Sequence, residues 1–416
     1  MKIKNIWDSL VNNKVSVLSL LIFNFLYRLY IFFNTNLLYF SDYKSFLDAI
    51  DNIRETGIID LSSGPAHLLN SYIGYFFKYV IGSIEYWYVF NCLLGTISSL
   101  LIYLFLVKVL NSRKVGFIYL IIVTGYSEFI ALSSIFYTQV IEIFIFSLML
   151  NIIVNFHRSK GLVKVLLYLF FMVSIINLSF FFKGTLRYLW FIFGMFSIIM
   201  VKNRPTSIKY LVLSVCLIIF NFSLEKLSPV IYKVVSANDV NNSSIIPHLL
   251  FGHTLYGGDG GEGTFIYPEN REKFRKNYDL WLKINNVPYP NQKSLHQFQK
   301  DEIIGFVTKH PFQWVKLQVY KFIRTFGIVP EGTTFQILYS GLFEFNWLYT
   351  SFYLQIPFAL IIILFVFSFD WIKCRKIIHS KLSWIWMALF IYWLSATIFY
   401  GPFQERYRIP DMVLFI

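Results

Sequence analysis

The chain has 416 residues, of which 56% are hydrophobic, 20% aromatic and only 14% charged, with a mean hydropathy of +0.57. A soluble domain carries roughly 25% charged residues, so this composition excludes one and defines a polytopic membrane protein. The net charge of +14 is read by location, because cytoplasmic loops collect Lys and Arg; with no aromatic–basic recognition motif, nucleic acid is not an expected partner.

Taken in chain order, the apolar runs predict spans over 15–38, 84–107, 115–133, 138–156, 165–182, 188–201, 210–230, 347–369 and 382–400, each judged against the roughly 20 residues a helix needs to cross a bilayer. A tenth apolar run starts near Ile409. The expectation is an all-α polytopic protein with about 9–10 transmembrane helices, amphipathic surface helices and a large extracytoplasmic loop. It divides into an N-terminal transmembrane module (1–230), the large loop (231–346) and C-terminal helices (347–416). Basic clusters at Lys2/Lys4/Lys14, Lys108/Arg113/Lys114, Arg158/Lys160/Lys164, Lys202/Arg204/Lys209 and Lys373/Arg375/Lys376/Lys381 fall on alternate connections. The positive-inside rule puts that side, and the N-terminus, in the cytoplasm of a cell-membrane protein.

The first outer loop opens with "SDYKSFLDAIDNIRETG". Tyr43, Phe46, Leu47, Ile50 and Ile53 recur at helical spacing, which predicts an amphipathic surface helix ending near Gly57. Asp48, Asp51 and Glu55 read as its solvated face. Asp42 stands at the junction of span and surface helix, where a carboxylate either caps the helix or points into a cavity among the spans. Within the spans, Arg28 lies near the middle of the first and must face protein, with an acid as the expected partner. Glu128 and Glu142 lie near the outer ends of the third and fourth.

"FFKGTLRYLW" places Lys183 and Arg187 at a short outer turn, and "GPFQERYRIP" does the same with Arg406 and Arg408. Outer cations run against the charge rule; they either snorkel to headgroups or grip a phosphate. In the large loop, His248, His253, Asp259 and Glu262 match no strong metal motif. The same loop shows no clear independent core. Its segment 296–327 reads as two amphipathic helices broken at Pro311, the second lying on the membrane surface through Trp314, Leu317 and Phe322. The cysteines Cys92, Cys216 and Cys374 show no CxxC spacing, and neither a disulfide framework nor a zinc site is expected.

In order and topology, "FSDYKSFLDAIDNIRETGI", "SSGPAHLLNSYIGYFFKYVIG", "FYTQVIEIFIFSLML", "FKGTLR", "KHPFQWVKLQVYKFIRTFG" and "ERYRIP" resemble the C-type (GT-C) membrane glycosyltransferases, in particular the protein O-mannosyltransferase and aminoarabinose transferase relatives. The resemblance implies transfer of a sugar from a polyprenyl-phosphate lipid to a glycan or cell-envelope acceptor on the extracytoplasmic face. It implies Asp42 as general base, with Glu142 a second acid of the site. Lys183, Arg187, Arg406 and Arg408 would meet the donor phosphate, and no metal or other cofactor is demanded. A lipid-linked polysaccharide polymerase also has many spans and a large outer loop, and would need loop arginines such as Arg271 or Arg275. A transporter or flippase often shows paired halves and Gly/Pro-broken spans, and the sequence shows neither, its prolines lying almost wholly outside the expected spans.

Overall fold

The computed structural model describes residues 8–34, 42–57, 68–134, 138–182, 185–235, 250, 253–254, 268–288, 292–325, 388–389 and 391–392. Among them there is no strand. Five helices are long and apolar enough to cross a membrane: Lys14–Phe33, Glu85–Leu110, Gln139–Arg158, Leu162–Ser179 and Arg204–Leu224. The chain is an all-α membrane protein. The expected spans 347–369 and 382–400 lie outside the described residues, apart from Ala388, Leu389, Ile391 and Tyr392, which are helical.

The elements are α1 (Lys14–Asn34), α2 (Asp42–Thr56), α3 (Leu68–Tyr75) continuing as a π-helical segment (Phe76–Ile81), α4 (Glu85–Leu110), α5 (Arg113–Gly125) and α6 (Ser127–Leu132). They continue as α7 (Gln139–Arg158), α8 (Leu162–Phe180), a 3-10 turn (Thr185–Tyr188), α9 (Leu189–Ile199), α10 (Arg204–Val235), α11 (Pro268–Ile284), α12 (Gln292–Lys309) and α13 (Pro311–Thr325). Glycine ends two of the loop helices: Gly57 (φ +70°) follows α2, and Gly82 (φ +106°) closes the π-helical segment, a conformation that costs a side chain with a Cβ.

One core joins the spans, running from Leu21 and Phe32 of α1 through Cys92, Phe129 and Met149 to Tyr210 of α10 and Leu389. Antiparallel α1 and α4 meet through Asn24 with Thr96 and the stacked rings of Phe32 and Tyr88, 5.2 Å apart. Asn151 Nδ2 of α7 donates to the Leu101 carbonyl of α4 at 2.7 Å. His157 of α7 meets the Tyr210 hydroxyl of α10 at 3.2 Å. Close approach uses glycine: a Cβ on Gly116 of α5 would stand 2.8 Å from both Tyr103 and Val107 of α4. Small residues at such contacts let helix backbones approach where lipid supplies no hydrophobic drive.

The basic residues gather where the sequence puts them. Arg158 Nη2 donates to the Lys108 carbonyl at 2.8 Å, and Lys209 Nζ donates to the Ser159 carbonyl. The ends of α4 and α7 and the start of α10 therefore converge at one basic end of the bundle.

Three expectations change. The span expected over 115–133 is broken: α5 stops at Gly125 and α6 restarts at Ser127, with Tyr126 at φ −81° and ψ +89°. The span expected over 188–201 is an 11-residue helix, Leu189–Ile199, about 16 Å long. Preceded by the 3-10 turn Thr185–Tyr188, it carries the chain from the end of α8 to the start of α10, against which it packs through Ser197 and Ser207. The large loop has a core of its own. Leu250, Phe274 and Phe298 are buried together, with Tyr278, Trp281, Leu295 and Ile303 around them. Its apolar residues come from α11, α12 and Leu250, well apart in the chain, which hides them from a local reading.

Candidate functional site

At the end of the bundle opposite the basic one, α1 hands over to α2. Asp42 is the first residue of α2, as its position after the first span predicts. Nine residues on, Asp51 is not the free solvated acid the pattern suggests. Its Oδ1 accepts from Lys78 Nζ at 2.5 Å and from the Tyr79 hydroxyl at 2.6 Å, and the Arg54 guanidinium lies over the Tyr79 ring. Partial burial works to raise the Asp51 pKa, but the bonds from Lys78 and Tyr79 prevail and hold it below the ordinary value. Lys78 is raised in turn: burial opposes its charge, and Asp51 outweighs that. Both shifts favour the ionised pair, which clamps α2 to the π-helical segment. No sequence motif announces this pair; the 27-residue separation becomes a contact because α2 packs against α3 and its π-helical continuation.

The other contact at this end joins two predicted parts. The Leu69 amide at the start of α3 donates to the Phe181 carbonyl at 3.3 Å. That ties the first-loop helices to the end of α8, two residues before Lys183. Lys183 lies outside the described residues, and Arg187 falls in the 3-10 turn Thr185–Tyr188. Arg406 and Arg408 lie outside the described residues.

Glu142 occupies the first turn of α7 and is 1% exposed. There the unpaired backbone amides of the helix start favour a negative group. It belongs to a buried polar row, Ser134, Thr138, Gln139 and Glu142. Asn70 and Ser71 at the start of α3 are likewise buried. The side-chain nitrogen and oxygen of Asn70, Ser71 Oγ, Ser134 Oγ and Gln139 Oε1 have no hydrogen-bond partner among the described residues. Buried polar groups are nearly always bonded, so these atoms carry polar capacity that is not used among the described residues.

Arg28 is fully buried, and its partners are not the expected acid. Nε donates to Asn24 Oδ1 at 3.0 Å, while Nη1 donates to the Phe129 carbonyl at 2.9 Å and to Ser133 Oγ at 2.5 Å. The guanidinium lies 4.2 Å from the centre of the Phe129 ring, and no carboxylate pairs with it among the described residues. The α5–α6 break and the end of α6 present a backbone carbonyl to it. A cation at a helix C-terminus also meets the negative end of the helix dipole.

Of the loop residues considered as metal ligands, His248, Asp259 and Glu262 lie outside the described residues. His253 Nδ1 accepts from Trp314 Nε1 at 3.0 Å, which gives it a structural partner on α13. Among the described residues, no group of three or more His, Cys, Asp or Glu could hold a metal ion.

The class these features define is an all-α membrane protein with a polar end formed by α2, α3 and the start of α7. Comparison with protein families, with curated proteins and with solved structures returns no match.

Proposed function

We propose that the chain is a cell-membrane glycosyltransferase of the C type, moving a sugar from a polyprenyl-phosphate donor to a glycan or cell-envelope acceptor. In this reading the basic end is cytoplasmic, as the positive-inside rule requires, and the polar end is extracytoplasmic. The observation that carries it is the Leu69–Phe181 hydrogen bond. It brings α3, which follows Asp42 and α2 in the chain, to the end of α8, which precedes Lys183 and Arg187 in the chain, and this supports a site drawn from both segments. Asp42 would take the proton of the acceptor hydroxyl. Lys183 and Arg187, with Arg406 and Arg408, would stabilise the leaving lipid phosphate. Glu142 would be the second acid, and the buried polar groups of α3 and α7 would offer hydrogen bonds to sugar hydroxyls.

The test is the pair of variants Lys183→Ala and Arg187→Ala, assayed with polyprenyl-phosphate sugars in detergent or nanodiscs. Each is expected to cut release of free polyprenyl phosphate by about 10²-fold or more, as loss of a charge-stabilising donor does. Full activity in the double variant would remove the phosphate role.

A second reading, transport of a lipid or glycan, gains from the α5–α6 break with the buried Arg28 beside it, since transporters place sites at broken helices. Sealed proteoliposomes separate the two: a transporter moves the intact lipid-linked sugar across without releasing free polyprenyl phosphate.

A further inference from the structure

Helix α13 is turned inside out. Its Lys321 is fully buried, and Gln318 and Leu317 are nearly so, whereas Phe312 is 90% exposed and Val315, Val319 and Phe322 are about half exposed. At 100° per residue those four exposed residues fall within about 80° of one another. The stripe differs from the face the sequence suggests: Leu317 is buried and Trp314 turns to His253, leaving Phe322 as the shared member.

The charge pattern says what covers it. Pro311–Thr325 contains Lys316, Lys321 and Arg324 and no acid, and exposed Lys316 borders the stripe. A basic amphipathic helix with an exposed apolar face fits a membrane interface with anionic headgroups. The spans show the same exposed apolar side chains, such as Phe170 and Ile219, so the molecule already lives in lipid. We propose that α13 docks on the bilayer surface, with Phe312, Val315, Val319 and Phe322 among the acyl chains and Lys316 at anionic lipid headgroups. This anchors the α11–α13 unit to the membrane by a second contact besides the spans, and it holds whether the protein is a transferase or a transporter.

The test uses the full chain with Cys92, Cys216 and Cys374 replaced by Ala. Phe312→Cys and Val319→Cys are spin-labelled in nanodiscs of phosphatidylcholine, with and without phosphatidylglycerol. Lys276→Cys, on an exposed position of α11, is the aqueous reference. Both stripe positions are exposed, so labelling leaves the core untouched. The expected result is loss of collisions with a water-soluble nickel complex and a gain in collisions with oxygen at both positions, relative to the reference. Immersion should deepen with phosphatidylglycerol, and Lys316→Glu should remove that dependence. Nickel collisions equal to the reference would overturn the proposal. So would protection from both reagents, which would mean a protein partner or a second copy covers the stripe. Equal depth in both lipids would overturn the role of anionic headgroups.

Discussion

Arg28 is a fully buried cation within α1, a costly placement for a charge in a span. A guanidinium there is tolerated because its fork reaches Asn24, Phe129 and Ser133 at once. Arg28→Lys keeps the charge but cannot make those bonds with one ammonium. Hydrogen bonds to charged groups are worth about 1.5–3 kcal/mol each, so thermal unfolding in detergent should show a loss of about 2 kcal/mol or more. Gly95→Ala attacks the same place from α4, since its Cβ would fall 2.5 Å from Arg28 Nη1. With the guanidinium pinned and buried, overpacking of about 1–3 kcal/mol is expected. The Asp51–Lys78 pair is half-exposed and worth at most about 1 kcal/mol. Its pH dependence has two edges. Asp51 is depressed, so its contribution holds above the ordinary carboxylate value of 3.8 and is lost as pH falls further. Lys78 is raised, so its contribution holds below 10.5 and is lost as pH rises beyond. Between those edges Lys78→Ala should loosen α2 with no pH dependence, read by hydrogen exchange of the α2 amides.

At the scale of elements, the sequence shows most of the spans and the surface helix α2. Long apolar runs and a 3.6-residue period are local signals, and α2 ends at Gly57 because the left-handed conformation there suits glycine. The break at Tyr126 is marked locally by Gly125 and Ser127 on either side, residues at which helices commonly kink; its contact with Arg28 of another helix is not. Two further features are not local. The aromatic core of the large loop is assembled from residues 250, 274 and 298. The face of α13 cannot be chosen from periodicity alone, because both sides carry apolar residues. The π-helical segment is closed by Gly82 with open space around it. Gly82→Ala therefore meets only a backbone penalty, about 1 kcal/mol, and should shift Lys78 relative to Asp51. The check is loss of the α2 protection that Lys78→Ala also removes.

For the whole molecule, the charge asymmetry of the sequence becomes a geometry in which Lys108, Arg158 and Lys209 converge at one end, while α2, α3 and buried Glu142 occupy the other. Membrane-impermeant labelling in intact cells should therefore leave Lys160→Cys protected and modify Glu55→Cys, both on a cysteine-free background; the reverse pattern would invert the orientation. At the polar end, the joining of α3 to the end of α8 through Leu69 and Phe181 is not legible in the sequence, since it spans more than a hundred residues. The most direct measurement of the account compares the parent with Asp42→Asn in nanodiscs containing polyprenyl-phosphate sugars and cell-envelope acceptors, with mass spectrometry of the lipids. The account predicts that the parent converts the donor to free polyprenyl phosphate and that Asp42→Asn binds it and falls in rate by about 10²-fold or more, the range of a lost general base. Equal turnover by both, or donor bound by both and never cleaved, would contradict it.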